Sequence, residues 1–314
     1  MKKLVVIGSG KMAVDCLKIL SEAPHGVLSL AISEPQAGSP GNALSRYCRG
    51  QGIPYLEAER INSSSVIERL AAIAPDIIFN INSFQIIRPV LLSLPKEGTI
   101  NFHNGPLPRY GGANVCSWAI INGERDHGVT WHYLDRGIDT GDIIAQRFFE
   151  IAFDETAITL IIKCINAGIE LFKEVLPRLI DGSVKVVKQD ASKATYYSLK
   201  DTPNRGWVDY GWPFVQFDRF IRGLSFHPAE NTFVYPKSTY CSREFYIQGI
   251  ERLEAMSVPG DRGTVIYTGP HHIAVQIKDA TIAITDVLDE NRNELSVGDF
   301  VERYGIEVGR YLGS

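Results

Sequence analysis

Near its beginning the chain runs Leu4-Val5-Val6-Ile7-Gly8, then Ser9-Gly10-Lys11-Met12-Ala13, then an amphipathic stretch through Leu20. Four consecutive apolar β-formers describe a strand covered on both faces, because a half-exposed strand would alternate polar and apolar. The pattern recurs. Val27 to Ser33 reads as a second strand, residues 42–50 as a helix, and Ile53 to Leu56 as a third strand. Ser65-Val66-Ile67-Glu68 reads as a capping box opening a helix that ends near Pro75. Asp76-Ile77-Ile78-Phe79-Asn80 is another buried strand. Strands alternating with helices of these lengths need crossover connections, hence a parallel sheet with helices on both faces. The expected class is α/β: a Rossmann-like, mostly parallel sheet.

The first turn, Gly8-Ser9-Gly10-Lys11-Met12-Ala13, has the form G-x-G-x-x-A. Backbone amides at a helix start can hold an anion, and Glu34 after the next strand stands where a ribose ligand would. A nicotinamide-dependent oxidoreductase is therefore one reading of this chain. A purely structural tight turn, or a site for an acceptor's phosphate at Gly8, Ser9, Gly10 and Lys11, are the others.

A stronger concentration of chemistry lies between Thr99 and Ile144. Asn101 and His103 are two apart on a strand, so their side chains share a face while Phe102 turns to a core. Asn104-Gly105-Pro106-Leu107-Pro108 then leaves the strand in a sharp turn. A second loop, Gly137-Ile138-Asp139-Thr140-Gly141, carries one carboxylate. An amide to steady an oxyanion, an imidazole to take an amine proton and a carboxylate to set the imidazole's charge suit acyl transfer. Each residue also has an ordinary structural use: Asn101 as a strand-end amide, His103 as a half-buried histidine, Asp139 in an Asx-turn.

Five pieces here occur in a set order: Ile100-Asn101-Phe102-His103; Pro106-Leu107-Pro108-Arg109-Tyr110-Gly111-Gly112; Trp118-Ala119-Ile120 with Gly123; Gly128-Val129-Thr130-Trp131-His132; and Gly137 through Ile143. Together they resemble the formyltransferases that use N10-formyltetrahydrofolate, a family that includes methionyl-tRNA and sugar N-formyltransferases. The resemblance implies that Asn101, His103 and Asp139 are catalytic. It places the folate donor against Ile86, Ile87 and Leu92, and against Asp135, Gly137 and Ile138. It assigns the acceptor to Asn104, Gly105, Arg109, Tyr110, Gly112 and Trp207, besides the first glycine turn. His103 is implied either as base or as a cation beside the oxyanion, and His132 as a supporting residue. No metal is required, since a formamide on the folate nitrogen is already activated. One departure stands out. Where most members read H-x-S-L-L-P, this chain has His103-Asn104-Gly105-Pro106-Leu107-Pro108.

Composition excludes several classes. The chain of 314 residues is 45% hydrophobic and 22% charged with net charge −4, ordinary values for a globular protein and no invitation to nucleic acid. No apolar run is long enough to span a bilayer, and Met1-Lys2-Lys3-Leu4 leads straight into a strand with no signal-peptide core. Five dispersed cysteines without paired spacing point to a reducing cytoplasm and free thiols rather than zinc.

Beyond Ile144 a strand over Ala145 to Ile151 is expected. A long helix follows, with Ile158, Ile161, Ile162, Ile165, Ile169 and Phe172 on its core face and an end or kink at Pro177. Val184 to Val187 reads as a further strand. A polar, tyrosine-rich connector places a domain boundary near Lys200, dividing the chain into a catalytic domain, 1–200, and a smaller mainly-β domain, 201–314. In the latter, short runs at Thr232–Val234, Phe245–Ile250, Gly263–Tyr267, Ile273–Gln276 and Ala280–Thr285 fit a small, partly open, OB-like barrel. Val258-Pro259-Gly260 resembles the entry to that barrel in methionyl-tRNA formyltransferases. From Lys200 onward there are twelve basic and sixteen acidic residues, an unfavourable balance for gripping phosphates. Charge thus favours a small amine acceptor, such as a nucleotide-linked amino sugar or an amino acid, over methionyl-tRNA. No membrane partner is expected, and the number of subunits is not encoded in any visible motif.

Overall fold

The structure is a computed structural model that describes residues 1–34, 43–253 and 261–313. By the density of contacts the chain divides into two compact units. The first comprises 1–113, 126–149 and 162–197; the second comprises 114–125, 150–161 and 198–314.

The first unit is built on a seven-stranded sheet. Its elements are β1 (Lys2–Gly8), α1 (Gly10–Ser21), β2 (Gly26–Ser33), α2 (Ala43–Gln51), β3 (Tyr55–Glu57), α3 (Ser64–Ile73), β4 (Ile77–Ile81), α4 (Pro89–Leu92), β5 (Gly98–His103) and β6 (Gly111–Gly112). After α5 (Val115–Asn122), which belongs to the second unit, come β7 (Asp126–Tyr133), β8 (Ile143–Glu150), α6 (Ala157–Asp181) and β9 (Tyr196–Tyr197). The strand order is β3-β2-β1-β4-β5-β7-β8. The pairs from β3 through β5 are parallel, and β7 runs antiparallel to β5. The apolar runs sit in the middle of this sheet, where both faces are covered. On one face Val5, Ile7, Leu30, Ile32 and Ile78 pack with Leu70 and Leu91. On the other, Phe79, Phe102, Trp131 and Phe172 form a chain of aromatic contacts 4.8–5.3 Å apart.

Gly168 explains how α6 reaches that aromatic layer. A Cβ there would lie 2.1 Å from Phe102 Cε2, and the Gly168 carbonyl accepts from Trp131 Nε1 at 2.9 Å. Along α6, Cys164, Gly168, Ile169 and Phe172 are buried; the expected face holds at Ile169 and Phe172, while Ile162 is exposed. Pro177 neither ends nor interrupts the helix, which continues to Asp181. Its ring leaves the Lys173 carbonyl without its usual helical donor, and both Lys173 and Pro177 lie on the exposed face of the helix.

Other local expectations also give way to context. The helix α3 is capped at Ser63, whose side chain makes no cap bond and instead meets Ser65 Oγ at 3.2 Å, so the capping box does not form. Val184 to Val187 contributes one bridge, Val187 to Ile143, rather than a strand. Thr232 to Val234 is irregular, while Val258 to Gly260 lies outside the described residues.

The second unit is mainly β, as expected. Following α7 (Phe214–Gly223), strands β10 (Lys237–Tyr240), β11 (Arg243–Leu253), β12 (Val265–Thr268), β13 (Ile273–Gln276), β14 (Thr281–Leu288) and β15 (Glu294–Leu295) precede α8 (Val297–Tyr304). The sheet is antiparallel in the order β10-β11-β14-β13-β12, with β15 on β14. Phe217, Phe220 and Ile221 of α7 and Phe300 of α8 pack on Phe245, Ile247, Val275 and Ile284. Among the described residues no helix is long and apolar enough to cross a membrane, and none of the five cysteines is in a disulfide.

Candidate active site

The carboxyl ends of β4 and β5, beside the antiparallel β7, gather the polar residues of the first unit. Asn80, Asn101 and His132 are register partners across the three strands. Asn80 Nδ2 donates to Asn101 Oδ1 at 2.7 Å, and Asn101 Nδ2 lies 3.1 Å from His132 Nε2. His132 Nδ1 is 2.8 Å from the Tyr133 carbonyl. Two residues along β5, His103 is buried, with Nε2 2.6 Å from the Tyr110 carbonyl and Nδ1 3.5 Å from Asp139 Oδ2. A carbonyl only accepts, so in the neutral ring Nε2 carries the proton and Nδ1 is bare.

Asp139 reaches this point from a loop 36 positions along the chain. Its backbone is left-handed (φ 57°), and Gln189 Nε2 donates at 2.7 Å to both the Asp139 and the Gly141 carbonyls. The carboxylate accepts from Gly112 N at 2.8 Å and lies 3.6 Å from His132 Nε2. Burial pushes the Asp139 carboxyl up, but His103, His132 and the Gly112 amide outweigh it and hold it down at about 2. Burial pushes the His103 imidazole down, more strongly than Asp139 and the Tyr110 carbonyl raise it. The consistent state near pH 7 is therefore an ionised Asp139, held by its hydrogen bond from Gly112, facing a neutral His103.

The turn after β5 is fixed from behind. Thr130 Oγ1 donates to the Gly105 carbonyl at 2.7 Å and Gln146 Nε2 to the Leu107 carbonyl at 2.6 Å. Tyr110 N donates to Thr195 Oγ1 at 2.8 Å, and β6 pairs with β9 at Gly111–Tyr196 and Gly112–Tyr197. Tyr110 adopts φ 58° there, its ring buried and stacked on Tyr197, so its carbonyl rather than its phenol faces His103. Gly105 sits against the imidazole: a Cβ would be 2.7 Å from His103 Nε2 and 2.5 Å from the Tyr110 carbonyl.

The structure brings Asn101, His103, Asp139, Gly105, Tyr110 and Gly112 together. Asn104 follows directly, its carbonyl accepting from His127 Nε2 at 2.7 Å, while Arg109 is exposed with its guanidinium over the Tyr110 ring. Of the residues expected to face the donor, Ile86 and Ile138 are exposed, alongside Phe84 and Val90. Ile87 is buried in the core, Leu92 packs against it, and Asp135 closes its own loop by accepting from Gly137 N and Thr140 Oγ1. Trp207 lies in the second unit with Lys237 Nζ 4.1 Å from its ring centroid.

At the first glycine turn, Gly8 allows β1 to pass the Ile81 carbonyl, 2.2 Å from where a Cβ would stand. Ser9 N donates to that carbonyl, Ser9 Oγ to the Asn82 carbonyl, and Lys11 pairs with Asp15. Gly10 takes φ 71° at the helix start. Glu34 is buried and accepts from Ser83 Oγ and Phe84 N, tying β2 to the loop after β4 instead of offering itself to a ribose. The oxidoreductase reading therefore loses its acidic ligand.

Residues 2–176 match the formyl transferase family, and residues 200–305 match its C-terminal domain. The chain belongs to the formyl transferase family. Its similarity extends from end to end: it is 28% identical to the methionyl-tRNA formyltransferase of Agathobacter rectalis over 99% of both chains. It is also 28% identical to that of Geobacter sulfurreducens, over 99% of this chain and 96% of the relative. Among solved structures it shares the fold of WlaRD, a sugar 3N-formyl transferase crystallised with dTDP and 5-N-formyl-THF (TM-score 0.67, 22% identity, 91% of this chain and 97% of that one). HypX from Aquifex aeolicus in complex with tetrahydrofolic acid shares it too (TM-score 0.66, 17% identity, 98% of this chain and 48% of that one). Formyl transfer is thus this chain's chemistry, as the motif order between Asn101 and Ile143 implies.

Asn80, Gln146, Gln189 and Thr195 escaped sequence reasoning. Asn80 was visible as the one amide inside the buried strand Ile77-Ile78-Phe79-Asn80-Ile81. Thr195 carried no signal, because its role arises from a pairing with residues 85 positions away.

Proposed function

We propose that this enzyme moves a formyl group from N10-formyltetrahydrofolate to a primary amine, with Asn101, His103 and Asp139 as its catalytic residues. The observation that carries this is the bare Nδ1 of a buried, neutral His103 facing an ionised Asp139 next to the Asn101 amide. The amine nitrogen attacks the formyl carbon, and the charge developing on the formyl oxygen is met by the Asn101 N–H. His103 Nδ1 takes the amine proton; the imidazolium so formed is stabilised by the Asp139 carboxylate. The bond to N10 then breaks, and the proton passes from His103 to N10, leaving tetrahydrofolate and a formamide. His103 thus works as base rather than as a standing cation. Exposed Phe84, Ile86 and Val90, on the segment that leaves β4, offer a flat pteridine an apolar wall.

For the acceptor, the reading the relatives support best is the amino group of methionyl-tRNA, because the similarity runs through both domains at nearly full length. The second reading, a small amine, rests on charge. The twelve cations after residue 199 are outnumbered by acids, and Arg222, Arg243, Arg303 and Arg310 are each within 4 Å of a carboxylate. The test is incubation with N10-formyltetrahydrofolate and either charged initiator tRNA or a panel of nucleotide-linked amino sugars and amino acids, following acceptor mass, with His103→Ala as control. Formylated methionyl-tRNA supports the first reading, and a formylated small amine the second. Donor unchanged in every mixture would overturn both.

A further inference from the structure

We infer that Asn80 is a positioning residue that, with His132, fixes which way the Asn101 amide points. The inference rests on the formyl-transfer reading for its consequence and on the sheet for its geometry. Residues directly opposite in neighbouring strands share a face, so Asn80, Asn101 and His132 form a polar row across β4, β5 and β7.

The row has one direction. The Tyr133 carbonyl can only accept, so when the His132 ring is neutral Nδ1 carries the proton and Nε2 is bare. A bare Nε2 accepts from Asn101, so the Asn101 atom beside it is Nδ2, and Oδ1 faces Asn80. Asn80 must then present Nδ2. Asp139 Oδ1 lies 3.6 Å from His132 Nε2, too far to share a hydrogen bond with it. Reversing the Asn101 amide would set its oxygen against the bare nitrogen and its NH2 against the NH2 of Asn80, losing both bonds. One Asn101 N–H remains outside the row. Asn80 and His132 are buried while Asn101 is half-buried, so that N–H is the one the row can present to a ligand.

The cost of this arrangement is visible. Asn80 Oδ1 is buried with no hydrogen-bond partner among the described residues. An unpaired amide oxygen in a strand otherwise made of Ile and Phe is unfavourable where a valine would fit. The donation to Asn101 is what the asparagine supplies in return.

The test compares Asn80→Asp and Asn80→Leu with the wild type. Asn80→Asp keeps shape but turns the donor into an acceptor against Asn101 Oδ1; Asn80→Leu removes the donor without charge. Each is expected to lower kcat about 10²-fold, the scale of losing one oxyanion donor, with KM for the formyl donor within about threefold. In an Asn101→Ala background neither should lower kcat further, because the effect passes through Asn101. Folded variants with wild-type kcat, or losses that multiply undiminished onto Asn101→Ala, would overturn the inference. Should both variants fail to fold, 15N spectra of the wild-type His132 ring decide it: Nδ1 protonated and Nε2 bare is expected, and the opposite tautomer refutes the row's direction. A wild type that turns over no formyl donor refutes the functional reading instead, and the same ring spectrum then tests the row alone.

Discussion

Replacing Gly105 by alanine probes how tightly His103 is held. The backbone at Gly105 is not left-handed, so a side chain is opposed by space alone. The new Cβ would stand 2.5 Å from the Tyr110 carbonyl oxygen, 2.7 Å from His103 Nε2 and 3.1 Å from its Cδ2. Ordinary contact for a methyl group begins near 3.4 Å, so these groups must part by about 0.7–0.9 Å, on a packing scale where one methyl is felt. The 2.6 Å bond between His103 and Tyr110 cannot survive that on both sides. Neither partner yields easily, since the Tyr110 backbone is pinned by Thr195 and the imidazole is buried. A displacement near 1 Å in a catalytic group costs roughly 10² in rate, and overpacking of this kind costs about 1–3 kcal/mol of stability. Steady-state formyl transfer should show kcat down about 10²-fold with KM for the donor little changed, and a thermal scan should show a midpoint lower by several degrees. A folded Gly105→Ala with kcat within threefold of wild type would refute the claim that the Tyr110 carbonyl holds His103.

Asn101→Ala should lower kcat by about 10²–10³ without unfolding the protein, as measured by rate and circular dichroism. The acid limb of kcat should lie below pH 6.5, because burial lowers the His103 pKa and the base must be neutral. Asp139→Asn removes the carboxylate that favours the imidazolium, so the limb should move to lower pH while the plateau falls; movement to higher pH would contradict the assignment. Since Asp139 is held at about 2 against its ordinary 3.8, its contribution to stability is present above about pH 4 and lost as pH falls through 4 towards 2. Urea midpoints should drop across that window less in Asp139→Asn than in wild type. Gly168→Ala, whose Cβ would meet Phe102 at 2.1 Å, should destabilise by about 1–3 kcal/mol, read as a lower urea midpoint.

The α/β class, the order of strands and helices through β5 and the shared face of Asn101 and His103 were legible in the sequence. They follow from local rules: apolar runs make buried strands, and side chains two apart on a strand point the same way. Asp139 was legible only through its motif. What local rules could not supply were events between distant segments. Pro177 stays inside α6, on its exposed face. The stripe of α6 is set by the fit of Gly168 to Phe102. Glu34, placed for a ribose by position alone, is claimed by Ser83 and Phe84 from another loop.

The sequence by itself determined that this chain builds a parallel sheet and carries an amide, an imidazole and a carboxylate suited to formyl transfer. Only the tertiary structure decided their states. The carbonyl of Tyr110, turned by its pairing with Thr195, chooses which nitrogen of His103 is bare. The row from Asn80 to Tyr133 chooses which way Asn101 points. Tautomer and amide direction depend on the partners that folding brings within 3 Å, and those partners come from strands and loops far apart in the chain.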